Sequence, residues 1–248
     1  MGILHLITGD IIKNSSGKDA IVNSQNMYMS YGSGVCGAIY NACGRLEMEQ
    51  YCKNTWTWNM IENEVRITPG FKLGIDVIHI LAPKEYEKKE QSLNALLDCY
   101  ESLFKSILDR GYKKVILASL GTGVHGYKHN NISKPLVILL NNFCKNNNVD
   151  IYLININTLY TNIYLEEYIT LKGIDLKKEL LDLDVSEIPI FLEKNGLSNM
   201  YSKYLYHDFI KGKELEEMNL TEKIIALQYT IENFDIKKEQ LMPLIDNF

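Results

Sequence analysis

From Gln91 to Ile156, helix-spaced segments and short apolar runs take turns along the chain. Gln91–Arg110 puts Leu93, Leu96, Leu97, Tyr100, Leu103, Phe104 and Ile107 on one stripe. Val115–Leu120 follows as an apolar run, then a helical pattern from about Ser133 to Lys145, then the run Ile151–Ile156. Strands joined through helices lie side by side in a sheet that the helices cover, so the pattern predicts an α/β fold with a largely internal sheet. Ile3–Thr8, Ala20–Asn23, Glu64–Thr68 and Asp76–Ala82 supply further strands, and Val35–Tyr51 reads as one helix.

Past about residue 170 the character changes. Lys172–Ser186 is charged and Leu-rich, Glu187–Asn195 reads as a short strand or linker, and Lys203–Lys213 and Thr221–Phe234 read as helices. The expected division is a domain over 1–170 and a small, mainly helical appendage over 173–248. The net charge of −5 argues against a broad basic surface of the kind that duplex nucleic acid needs. No apolar run is long enough to span a bilayer, so no membrane association is expected. Five scattered cysteines without a C-x-x-C pair point to free thiols in a reducing cytoplasm, with no structural metal.

Two glycine-rich loops carry the chemistry. Tyr31-Gly32-Ser33-Gly34-Val35-Cys36-Gly37-Ala38-Ile39 follows the Ala20 strand, and Gly121-Thr122-Gly123-Val124-His125-Gly126-Tyr127 follows the Val115 strand. Glycines let backbone N–H groups turn toward a phosphate, and a helix N-terminus adds favourable potential. Two such loops can hold a diphosphate between them. Neither is a P-loop or a full dinucleotide fingerprint, and either alone is more often a plain tight turn.

Ile7-Thr8-Gly9-Asp10-Ile11-Ile12, then Asp19-Ala20-Ile21-Val22-Asn23-Ser24-Gln25-Asn26, then both glycine loops in this order, resemble the macrodomain family. Thr68-Pro69-Gly70-Phe71-Lys72-Leu73 resembles the family's mid-domain segment. The resemblance covers about two thirds of the chain and implies a three-layer α-β-α fold with a mixed central sheet, binding ADP-ribose without a cofactor. By that resemblance Asp10 accepts a hydrogen bond from the adenine amino group and Ile11 lies against the ring. Asn23 and Asn26 belong to the ligand site, with Asn26 positioning the distal ribose. Gly32, Ser33, Gly34 and Val35 line the diphosphate and distal ribose. Gly121, Thr122, Gly123, Val124, His125 and Gly126 form the second phosphate loop, and Ile156 and Asn157 lie by the adenosine.

The departures bear on activity. Many hydrolytic macrodomains have Asp in the position of Cys36, and a thiol of ordinary pKa does not replace that base. Ile156 stands where an aromatic often stacks on adenine, and His125 where an aromatic usually covers the distal ribose. Asn26, Cys36 and His125 form the candidate catalytic set, the last two with plain packing alternatives. Asp10, Asn23 and Asn26 can also be read as turn formers, and His79 as structural. The resemblance implies an ADP-ribosyl hydrolase or O-acetyl-ADP-ribose deacetylase acting on ADP-ribosylated protein or nucleic acid. Its alternative is a non-catalytic reader of ADP-ribose or a related signalling nucleotide. A third, a role through ADP-ribosylated ends or adenine-rich strands of nucleic acid, runs against the acidic charge.

Overall fold

The computed structural model describes residues 1–248, with the side chains of Lys88 and Lys89 outside the description. Six strands form one sheet: β1 (Leu4–Thr8), β2 (Ala20–Ser24), β3 (Val65–Thr68), β4 (Asp76–Ile80), β5 (Lys114–Ala118) and β6 (Asp150–Asn155). Their order is β1-β6-β5-β2-β4-β3. The first five in that order run parallel, and β3 pairs antiparallel with β4 at the edge. The sheet is therefore mixed, and its parallel strands are nearly all apolar because both faces are covered.

Helices α1 (Gly34–Cys43) and α2 (Arg45–Thr55) cover one face. The continuous helix expected over Val35–Tyr51 is broken at Gly44, whose φ of 93° a side chain would resist. The helical period continues across that break, so the apolar pattern alone conceals it. After the short α3 (Glu85–Lys88), helices α4 (Ser92–Arg110), α5 (His129–Asn147) and α6 (Thr158–Lys172) cover the other face. Helix α5 starts a turn earlier than its pattern predicts and passes through Pro135. The N–H that proline lacks falls in the second turn, while Ile132, Leu136 and Leu140 keep the helix on the sheet.

The C-terminal residues form α7 (Leu176–Asp182), α8 (Ile188–Lys194), α9 (Ser202–Leu205), a π turn over Tyr206–Ile210, α10 (Leu220–Asn233) and α11 (Lys238–Ile245). Glu187–Asn195, expected as strand or linker, is thus mostly α8, which Pro189 opens and which buries Ile188 and Leu192. These helices share one apolar core with the sheet: Leu6, Tyr164 and Leu153 pack in the same cluster as Leu192, Leu205, Ile225 and Leu241. The chain after α8 also finishes the sheet. Outer strand β1 donates the Leu6 N–H to the Gly196 carbonyl (2.9 Å) and the Thr8 N–H to Asn199 Oδ1 (2.9 Å). Gly196, at φ 71°, lies so close to the Leu4 carbonyl that no side chain fits. Asn199 is held in turn by Gln228 of α10, through its own N–H and carbonyl (both 2.9 Å). An open strand edge is a template for wrong pairing, and here the chain's own tail occupies it. Among the described residues, no helix is long and apolar enough to cross a membrane.

Candidate functional site

The parallel strands end together, and at their C-terminal ends the connections to α1, α5 and α6 diverge to opposite faces. A crevice opens where they part, as parallel α/β sheets require. It has a volume of about 990 Å³. Gly32–Cys36 form one wall, Gly121–Asn131 the other, and Ala118, Ser119, Ile154 and Asn155 the floor, with Ile156 and Tyr160 at one end. A shallower depression at the opposite end of the sheet is lined by Asp19, Asp76 and Tyr112. Its polar atoms serve each other: Tyr112 donates to Asp76 (2.5 Å), and Asp19 accepts the Lys113 and Lys114 N–H groups (2.6 and 2.8 Å).

Two features make the upper cleft suited to an anion. Helix α1 begins at Gly34 with no side chain capping its first turn, and α5 begins at His129 likewise uncapped with no acidic residue in its first turn. The N–H groups of both turns lack side-chain acceptors. The cleft lining includes Lys128 and no Asp or Glu, although the whole chain is acidic. Gly121 (φ 76°) and Gly126 (φ 93°) turn the second loop, and Gly121 is packed so tightly on Tyr127 that a methyl group would collide with the ring.

The first loop is held from below by a buried polar network. Gln25 accepts the Asn26 N–H on Oε1 (2.7 Å) and the Cys36 thiol on the same atom (3.4 Å). Its Nε2 donates to Tyr40 Oη (2.6 Å), and the Tyr40 hydroxyl donates to the Met29 carbonyl (2.8 Å). Beside it, Asn23 Nδ2 donates to His79 Nδ1 (3.1 Å). That leaves the proton on Nε2, which faces Thr68 Oγ1 at 3.0 Å. Burial, aided by the Arg66 charge, lowers the His79 pKa to about 3, so the ring is neutral.

The candidate residues divide accordingly. Asn26, Gly32, Ser33, Gly34, Val35, Cys36, the whole Gly121–Gly126 loop and Ile156 line the cleft. Asn23 is fully buried under the floor in the His79 network, and Ile11 is buried in the core below α1. Asp10 is exposed beside the β1 end, its Oδ1 accepting the Ile12 and Lys13 N–H groups (2.8 and 3.0 Å). Asn157 caps α6, accepting the Tyr160 N–H (3.0 Å). Asn26 is occupied by its own loop: Oδ1 accepts from Tyr28 N and Ser30 N, and Nδ2 donates to the Ser30 carbonyl (2.7 Å). Burial pushes the Cys36 thiol pKa up, which keeps it protonated at neutral pH. Burial also lowers the pKa of His125.

Sequence reasoning missed His129 and Tyr160. Their rings stack at 4.3 Å on the cleft wall, and His129 Nδ1 meets Tyr164 Oη at 2.8 Å. Tyr160 lies one helical turn after Ile156, so spacing from the strand end is the signal that could have found it.

Comparisons with known proteins agree with this architecture. The family model described as "Macro domain" matches residues 22–134. A macro domain-containing protein of Methanosarcina mazei is 31% identical over 160 residues, which cover 62% of this chain and 81% of that protein. The rat ADP-ribose glycohydrolase MACROD1 is 31% identical over 139 residues, covering 55% of this chain and 52% of that protein. Among solved structures, the Oceanobacillus iheyensis macrodomain with ADP superposes with a TM-score of 0.62 at 24% identity, covering 67% of this chain and 90% of that one. Glycine loops over the ends of a mixed six-stranded sheet, and a relative matched over most of its length, place this chain in the macro domain family.

Proposed function

We propose that the cleft binds ADP-ribose, free or attached to protein or nucleic acid. The observation that carries this is the pair of glycine loops facing each other across a carboxylate-free crevice with an uncapped helix start on each side. The diphosphate lies between the loops. The distal ribose lies toward Asn26 and Cys36. The adenine lies toward Ile156 and Tyr160, where the Tyr160 ring supplies the stacking surface that Ile156 lacks, and Asp10 accepts the adenine amino group. The O. iheyensis and Trypanosoma brucei macrodomains have been solved with ADP and with ADP-ribose, which supports the reading.

The test is calorimetry with ADP-ribose on the full chain. Saturable binding is expected, weakened roughly tenfold or more by Asp10→Ala, the worth of a hydrogen bond to a charged group. Absence of heat and of any thermal shift with ADP-ribose overturns the assignment.

The second reading is hydrolysis of the ADP-ribosyl or O-acyl linkage, supported by the likeness to MACROD1. With no carboxylate in the lining and Cys36 protonated, the base in that reading is the substrate's own phosphate, and Asn26 orients the water. Release of ADP-ribose from mono-ADP-ribosylated protein, lost in Asn26→Ala and kept in Cys36→Ala, supports it. Binding without release on any linkage leaves a reader.

A further inference from the structure

The proposed ligand leaves part of the cleft without an occupant. Register pairs Ala118 of β5 with Ile154 of β6, so the next residues, Ser119 and Asn155, sit side by side on the floor. Both turn toward the face covered by α5 and α6, the face that takes Leu117 and Leu153. Each is 7% exposed, and among the described residues Asn155 Nδ2 has no hydrogen-bond partner, while Ser119 Oγ reaches only the Tyr164 hydroxyl. Leaving a buried donor unpaired is costly, so such an atom calls for an explanation. The first turn of α5 stands over them: His129 at its start bonds Tyr164, whose hydroxyl lies beside Ser119. That turn is uncapped, has no acidic residue, and carries Lys128 at its threshold.

We propose that this niche is a second phosphate subsite, for a phosphomonoester on the adenosine ribose of the bound nucleotide. The inference rests on the ADP-ribose reading, because that reading fixes where the ribose lies. With the diphosphate between the glycine loops and the base at Ile156 and Tyr160, the ribose joining them crosses the tops of β5 and β6. A substituent on its hydroxyls reaches Ser119 and Asn155. A bare hydroxyl could serve Asn155 Nδ2 and would draw nothing from a helix end. A phosphomonoester accepts from Asn155 Nδ2, from Ser119 Oγ and from the α5 N–H groups at once, and its charge is matched by the helix dipole and by Lys128.

The experiment compares ADP-ribose with ADP-ribose 2′-phosphate by calorimetry on the full chain. The phosphorylated ligand is expected to bind about tenfold tighter or more at low ionic strength, the advantage shrinking as salt screens Lys128. Asn155→Leu and, independently, the surface change Lys128→Ala should each move the affinity ratio toward one. Thermal melting of both variants confirms that they fold. Equal or weaker binding of the 2′-phosphate, with ADP-ribose itself bound, overturns the subsite and leaves the ADP-ribose reading intact. A preference that persists undiminished in both variants also overturns it. If neither nucleotide binds, both proposals fall together.

Discussion

The two faces of the sheet are built differently. Under α4, α5 and α6 the middle of the sheet is packed with apolar side chains, Leu96, Leu103, Ile107, Leu136 and Leu140 being fully buried with Leu117 and Leu153, and buried polar groups such as Ser119, Asn155 and the pair Thr8 and Thr161 lie at the strand ends. Under α1 and α2 the sheet buries Asn23, Gln25, Tyr40, Thr68 and His79, a hydrogen-bonded chain leading up to the first glycine loop. Apolar packing is non-directional and supplies stability, while hydrogen bonds have fixed lengths and angles and locate a loop. The face under α4–α6 supplies most of the apolar packing, and the face under α1 and α2 holds the first ligand loop in place.

The contrast can be broken most severely at the face under α4–α6. Truncation after Lys172 removes Gly196 and Asn199 from β1 and uncovers the apolar surface that α8 and α10 bury. The expected outcome is loss of a cooperative melt or of solubility. A truncated domain that melts as the full chain does and binds ADP-ribose would make the tail an independent appendage instead. Next, Leu103→Ala should destabilise by about 2–5 kcal/mol in denaturant titration, with ligand affinity changed little while the protein stays folded.

Gln25→Leu attacks the face under α1 and α2. It leaves the Asn26 N–H without its acceptor and the Tyr40 oxygen without its donor, though the Tyr40 hydroxyl still donates to the Met29 carbonyl, for about 1–3 kcal/mol of stability. ADP-ribose affinity should fall more than for Leu103→Ala. The reverse order in the two affinities would end the division of labour argued above.

The smallest effect sharpens the picture through pH. Burial lowers the His5 pKa to about 4 and that of His79 to about 3. Both bind protons more readily when unfolded, near pH 6.5, so their stabilisation is complete above about 6.5 and is lost as pH falls toward the folded values. His5 stacks on Tyr152 at 4.2 Å with its Nε2 buried and unpartnered. His5→Phe should therefore raise stability slightly at neutral pH and flatten part of the decline between about pH 6.5 and 4. His79 keeps the rest, because its two ring nitrogens are both bonded. An unchanged acid limb in His5→Phe would remove His5 from that account.

The sequence alone did not carry the break between α1 and α2, helix α6 or helix α8; it did carry the six strands, the long helices α4 and α5, the two glycine loops and the family they belong to. These are local signals: a period of two or 3.6 residues, a glycine at a turn, a motif within ten residues. It also marked which loop residues reach the cleft, from Gly32 to Cys36 and from Gly121 to Gly126. The tertiary structure alone decided what those loops face. Strand register set Ser119 beside Asn155, the entry angle of α6 brought Tyr160 onto His129, and the Asn23 side chain turned below the floor to His79. It also decided that Gly196 and Asn199, more than 180 residues away in sequence, finish the edge of β1. Such pairings depend on two distant segments burying their surfaces against each other, and neither segment's composition records its partner.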